Sequence, residues 1–360
     1  MIACMSRGVV VVKVGSSTLV NERGRARPRV FARIAEDVAA QAGGGTRVVL
    51  VSSGAIALGL GSLGRAALPR RLAELQAASA VGQPLLQRRW ERALHRHSIQ
   101  TAQVLLTAGD IHRRDTYLNA RRTLENLLRW GSVPVVNEND STATDEITFG
   151  DNDALAAQVA LMLGARLLVL LSDVEGLYDR SPGTPGARVI AEVRDHRLLD
   201  RLEGPARRGW GSGGIRSKVL AAEMASAGGI QSVIAHGGRP GVLSAAVAGE
   251  PVGTRLHASR SPLPAFKLWL RYGKPVRGRL TVDAGARRAV EEQGTSLLPV
   301  GLTAVDGRFD AGDAVELVEQ GGPPFAVGLA GQAAGDLRRL AGARGAGEAV
   351  HRDNLVLLWR

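Results

Sequence analysis

GVVVVKVGSST, residues 8–18, opens with a run of β-branched residues that shows no alternation of apolar and polar positions. A strand with one wet face alternates, so this run reads as a strand buried on both faces, one member of a parallel sheet covered by helices. After Val14 the chain empties into Gly15-Ser16-Ser17-Thr18. Glycine and hydroxyl residues there suit backbone N–H groups that hold phosphate oxygens at a helix start, and they equally suit a plain strand-to-helix turn. The Walker pattern GxxxxGK[ST] is absent.

The same unit recurs along the chain. Pro28–Ala42 has helical spacing, Gly43-Gly44-Gly45 breaks it, and Arg47–Val51 is a second buried strand ending in Ser52-Ser53-Gly54-Ala55. Leu72–His97 predicts a long helix, Thr101–Leu106 a strand, Thr116–Trp130 a helix, and the apolar run from Val133 a further strand. Ala154–Leu163 predicts a helix, and Arg166–Leu171 a strand that runs into Ser172-Asp173. RGWGSGGIRSK, residues 208–218, packs four glycines before a helix Ser217–Ala227, and Gly229–Ala235 supplies another strand. In open α/β sheets ligands collect outside the carboxyl ends of strands, and four strand ends here turn small and polar.

Between strand and helix lies VPVVNENDSTATDEITFGDNDALAA, residues 133–157. Asn137, Asn139, Asp140, Asn152 and Asp153 offer short acceptors and amide donors at both ends of one loop, which suits a small polar ligand. Capping of the following helix by Asn152 or Asp153 is the competing reading.

From Ser259 to Gly278 the alternation of strand and helix stops amid Pro262, Pro264 and Pro275. The expected organisation is therefore an α/β domain over 1–262 with a mostly parallel open sheet between helices, a linker over 263–275, and a small mostly β domain over 276–360. The β assignment rests on short runs near Gly278–Val282, Leu297–Leu302, Ala314–Val318, Phe325–Leu329 and Asn354–Leu358.

Composition narrows the function. A single cysteine, Cys4, excludes an internal disulfide framework and a cysteine metal pair. No export signal or membrane span is read, so the expected setting is the cytoplasm. The net charge of +12 resides in residues 1–275, with 36 Lys plus Arg against 23 Asp plus Glu, while 276–360 holds 10 against 11. Arginine pairs in helices read as solvated faces.

Only four of the 46 cations are lysine, at 13, 218, 267 and 274, and the first 260 residues contain just two of them. Where arginine serves nearly every generic positive charge, two lysines near glycine point to a task for a compact ammonium, such as contact with a transferring phosphoryl group. The seven histidines form no HxxH or HExxH pattern, and no metal ligand is assigned.

Six stretches in order, VVKVGSSTL (11–19), VSSGAIALG (51–59), VVNENDSTAT (135–144), FGDND (149–153), LLSDVEGLY (170–178) and GSGGIRSK (211–218), resemble the glutamate 5-kinase family. The last 85 residues resemble the PUA domain that many of its bacterial members carry. The resemblance implies the amino-acid-kinase fold and phosphorylation of the γ-carboxylate of L-glutamate by ATP with Mg²⁺. It places Lys13 and Lys218 on the migrating phosphoryl group, with Asp153 as their organiser. Glutamate falls to Ser53, Asn137, Asp140 and Asn152. The nucleotide falls to Lys13, Gly15, Ser172, Asp173, Ser212, Gly213, Gly214, Ile215, Arg216, Ser217 and Lys218.

Two departures from the family pattern are visible: Ser172 stands where many members have Thr, and Arg216 replaces a small polar residue. The resemblance also implies feedback inhibition by proline and a homo-oligomer. Another carboxylate kinase of this fold, or an RNA-binding protein acting through the tail, are the alternatives. The near-neutral tail weighs against RNA, whose affinity draws heavily on phosphate neutralisation.

Overall fold

Val9–Val14 forms β1, and all six residues are buried, as a strand without alternation requires. It lies between β2 (Arg47–Ser52) and β5 (Leu167–Ser172), paired parallel to both. The structure, a computed structural model, describes residues 8–65, 67–142, 152–194, 214–345 and 347–358. Residue contacts divide the chain into two compact units, Met1–Pro262 and Leu263–Arg360.

The first unit holds an eight-stranded sheet of order β3-β4-β2-β1-β5-β7-β8-β6, with β3 Thr101–Leu106, β4 Val133–Glu138, β6 Glu192–Val193, β7 Gln231–His236 and β8 Thr254–Leu256. The pairings from β3 to β7 are parallel, and β8 runs antiparallel to β7. The helices are α1 Ser16–Leu19, α2 Pro28–Gly43, α3 Ala55–Ser62, α4 Leu72–His95, α5 Ala108–His112, α6 Arg114–Arg129, α7 Asn152–Leu163, α8 Ile215–Ala227 and α9 Val242–Ala248. Val10, Val12 and Val14 share a core with residues of α2, α4 and α9, including the edge-to-face pair Phe31 and Trp90 at 4.7 Å. Alternation along the strand turns Lys13 to the opposite face, where α7 meets both β1 and α8.

Two glycines explain how closely α3 and α4 cross. A Cβ built on Gly82 would stand 1.7 Å from the Ala55 carbonyl oxygen, and one on Gly59 would stand 1.9 Å from that of Ala78. Gly59 closes the stretch VSSGAIALG (51–59), and the structure uses it for helix packing.

The second unit carries a five-stranded sheet of order β10-β9-β11-β12-β13: β9 Val276–Val282, β10 Leu302–Gly307, β11 Ala314–Glu319, β12 Pro324–Leu329 and β13 Leu355–Leu357. Three expectations for this region are corrected. The run Leu297–Leu302 is not a strand, because Pro299 starts a 3₁₀ turn, Pro299–Gly301, and Leu297 contributes only a single bridge to Val350. Two helices that the β reading missed, α11 Ala284–Gln293 and α12 Ala334–Leu340, pack on the sheet. The first is announced by an Asp283 N-cap (Ala286 N–H to Oδ1, 2.7 Å) and by left-handed Gly294.

The third correction concerns 263–275, expected to be a linker. It carries α10 Ala265–Leu268 and a π-helical turn, Trp269–Gly273. Leu270 is fully buried with Ala314, Val327 and Val356, while Arg271 donates to the carbonyls of Leu357 and Leu358. Apolar residues in a proline-rich stretch thus serve the tail core.

The Gly82→Ala variant is expected to lose about 3 kcal/mol of stability, since backbone must move to admit the methyl group. In contrast Gly43→Ala, whose Cβ meets nothing within 4 Å, should be neutral or gain up to ~1 kcal/mol. Urea unfolding of the two variants side by side checks the contrast.

Candidate active site

Parallel register aligns the carboxyl ends of β1, β2, β4 and β5: Lys13 is opposite Val51 on one side and Leu170 on the other, and Val51 is opposite Val136. The order reverses at β1, with β2 and β4 to one side and β5 and β7 to the other. Such a switch point leaves a crevice beyond the strand ends.

At its centre stands Asp153, fully buried in the first turn of α7. The Lys13 Nζ lies 2.7 Å from its Oδ1, the Lys218 Nζ 3.1 Å from its Oδ2, and the Ser217 hydroxyl donates to Oδ2 at 2.7 Å. Both lysines are themselves buried. Burial pushes the Asp153 carboxyl up, and the two adjacent ammonium groups outweigh it, holding the group down at about 2. One carboxylate therefore anchors two cations brought from elements about two hundred residues apart.

Asn152, the neighbouring residue, serves the other half of the crevice. Its amide Nδ2 donates to Ser53 Oγ (2.9 Å) and to Asn137 Oδ1 (2.8 Å), the latter also accepting from the Glu138 N–H. Both amide protons are thus committed, and its buried Oδ1 has no hydrogen-bond partner among the described residues. An acceptor left in that state suits a donor on a ligand. Beside the capping alternative stands the observation that both side chains reach other elements, Asn152 to Ser53 and Asn137 and Asp153 to the two lysines.

Asp140 lies just beyond β4 and is buried. The Ser79 hydroxyl of α4 donates to its Oδ2 at 2.7 Å. No cation pairs with it among the described residues, and burial raises its pKa, with the Ser79 bond pulling the other way. A buried carboxylate without a counter-ion is prepared for a cationic group such as an α-ammonium.

On the β5 side, Ser172 Oγ lies 3.3 Å from Asp173 Oδ1 at the strand end. Gly15 follows β1, and its N–H is bonded to the Leu171 carbonyl at 3.2 Å, which closes the two strand ends together. Gly214 precedes α8 in extended conformation, and a Cβ there would meet nothing within 4 Å. Ile215, Arg216 and Ser217 form the first turn of α8, with Arg216 exposed. A helix start and a buried lysine together make an anion site. Ser212 and Gly213 lie outside the described residues.

The structure therefore gathers Lys13, Asp153, Ser217 and Lys218 into one node and Ser53, Asn137 and Asn152 into a second. Sequence reading missed Ser79 and Gln83, whose Nε2 donates to the Glu138 carbonyl at 3.1 Å. Their only signal was a pair of polar residues four apart amid small ones in a helix. In the near-neutral tail Arg279 bridges Glu316, and Arg287 bridges Glu291 and Glu319. Among the described residues no group of three or more His, Cys, Asp or Glu is placed to hold a metal ion, and no helix is long and apolar enough to cross a membrane.

Residues 8–236 match the Amino acid kinase family, and residues 278–352 match the PUA domain. A glutamate 5-kinase of Anaeromyxobacter dehalogenans is 46% identical over 364 residues, covering 97% of this chain and 96% of that protein. A glutamate 5-kinase of Thermus thermophilus is 45% identical over 360 residues, with 97% and 96% covered. One of a Synechococcus species is 43% identical over 367 residues, with 98% and 99% covered. With a paired-lysine node at the switch point of a parallel sheet, a PUA tail and such identity over nearly its whole length, the chain belongs to the glutamate 5-kinase family of amino acid kinases.

Proposed function

We propose that this chain transfers the γ-phosphoryl group of ATP to the γ-carboxylate of L-glutamate, giving L-glutamyl 5-phosphate and ADP, the first step of proline biosynthesis. The observation that carries the reading is the pair of lysines, the only two in the first 260 residues, meeting on one buried carboxylate. The acceptor is already ionised at neutral pH, so the reaction needs no general base. Attack in line by a carboxylate oxygen on the γ-phosphorus breaks the bond to the β-bridging oxygen, and ADP leaves.

Lys13 and Lys218 place point charges against the oxygens of the transferring group, in a site where burial strengthens each contact. Asp153 fixes both ammonium positions before substrate arrives, so reorganisation during the reaction is small. Glutamate lies on the β2 and β4 side, with its α-ammonium on Asp140 and polar contacts to Ser53, Asn137 and Asn152. ATP lies on the β5 side, against Ser172, Asp173, Gly15 and the glycine-rich entry to α8 from Ser212 to Lys218. Mg²⁺ enters as the MgATP substrate.

Proline as feedback inhibitor, a homo-oligomer and a cytoplasmic setting complete the reading. The tail carries no residue of the chemistry and is a modulatory unit. RNA binding is not favoured, since the tail holds ten cations against eleven anions and Arg279 and Arg287 are ion-paired.

ATP turnover measured with glutamate, aspartate and N-acetylglutamate side by side tests the reading. Glutamate should be preferred, and preference for either rival would overturn it. Lys13→Arg and Lys218→Arg should each lower kcat on the order of 10²-fold with little change in glutamate KM, because a planar fork cannot replace a point charge. Single-turnover kinetics with saturating substrates would read this directly.

Asp140→Ala should raise the KM for glutamate and leave that for ATP nearly unchanged. A pH series follows from the same group. Because burial raises its folded-state pKa above 3.8, Asp140 takes up a proton at higher pH than an ordinary carboxylate. Glutamate KM should therefore rise as pH falls, while kcat holds. For the unliganded fold the sign is opposite: stability falls as pH rises through the window above 3.8, since ionising the buried group is unfavourable.

A further inference from the structure

We propose that Ser79 is a positioning residue for glutamate binding: its hydroxyl, carried on α4, commits one carboxylate oxygen of Asp140 to the protein and leaves the other for the substrate's ammonium group. The inference rests on the reading that Asp140 receives that ammonium. Its basis is a set of anchors on three successive residues. Gln83 Nε2 holds the Glu138 carbonyl at 3.1 Å, the Asn139 N–H donates to Leu106 of β3 at 2.9 Å, and Ser79 holds Asp140 at 2.7 Å. Ser79 and Gln83 are one helical turn apart on α4, so a single rigid element grips both ends of the turn.

Ser79 is fully buried, and a serine inside a helix ordinarily bonds back to its own preceding turn. Here it donates across to another element. The Gly59 and Gly82 crossing lets α4 sit deep enough against α3 to bring the hydroxyl there, because any Cβ at either glycine would collide with backbone. A carboxylate held by one donor in a dry site keeps a fixed orientation, and binding of a small zwitterion depends on that orientation more than the transfer step does. Close to Asp140, β4 contributes the ionisable Glu138, β3 carries no ionisable residue, and α4 meets the turn with Ser79 and Gln83.

The test is steady-state kinetics of Ser79→Ala, Ser79→Cys, Asp140→Asn and the double variant Ser79→Ala/Asp140→Asn in the full chain. Ser79→Ala should raise glutamate KM about tenfold, with kcat and the KM for ATP within about twofold. The acid limb of kcat/KM for glutamate should move to higher pH, because the lost hydrogen bond favoured the ionised carboxyl. Ser79→Cys, close in volume and a weaker donor, should fall between, and it answers the question if Ser79→Ala does not fold. In the Asp140→Asn background, Ser79→Ala should change glutamate KM by less than about twofold.

An unchanged KM and acid limb in a folded Ser79 variant would overturn the proposal. So would an equal rise of KM in both backgrounds, which marks mere packing. A normal glutamate KM in Asp140→Asn alone would locate the failure one step earlier, in the placement of the substrate, and the proposal would fall with it.

Discussion

A buried carboxylate that holds two buried ammonium groups is the constraint on which this structure turns. Asp153 draws Lys13 and Lys218 together inside the protein, with neither lysine exposed to water. Such a group is costly to assemble and is weak evidence of stability. It makes sense as preorganisation, since fixed ammonium groups in a buried site suit a reaction that develops negative charge. The sheet is built to deliver the node: Lys13 can face α7 and α8 only because β1 is central, parallel and covered on both sides.

Around this node the adjacent residues Asn152 and Asp153 divide the crevice. One reaches Ser53 and Asn137 across β2 and β4, the other reaches the two lysines. Successive side chains of a helix point about 100° apart, so one turn of α7 can serve both halves of the crevice. The support behind the turn that follows β4 comes from α4, whose depth is set by two glycines at its crossing with α3. Packing and site geometry are therefore coupled through a helix crossing.

The second unit follows a different logic. Its arginines Arg279 and Arg287 are spent on carboxylates of its own sheet and helix. The segment 263–275 is held by Leu270 in the tail core and by two carbonyl contacts from Arg271. A near-neutral tail with paired charges has little long-range field to draw a polyanion.

Much was legible in the sequence because it depends on local pattern. Unbroken apolar runs marked β1, β2 and β5, and the scarcity of lysine singled out Lys13 and Lys218. The six ordered motifs supplied the other candidate positions. The tail was read less well: Pro299 turned an apolar run into a 3₁₀ corner, and the Asp283 cap and Gly294 stop of α11 passed unnoticed. What only the tertiary structure decided is which groups meet. Local pattern says nothing of contacts across a sequence separation of 61, Ser79 to Asp140, or of 65, Asp153 to Lys218. Those distances close because parallel register and a glycine-lined crossing bring remote backbone together, and burial then makes each meeting a requirement: a polar group removed from water must find a partner.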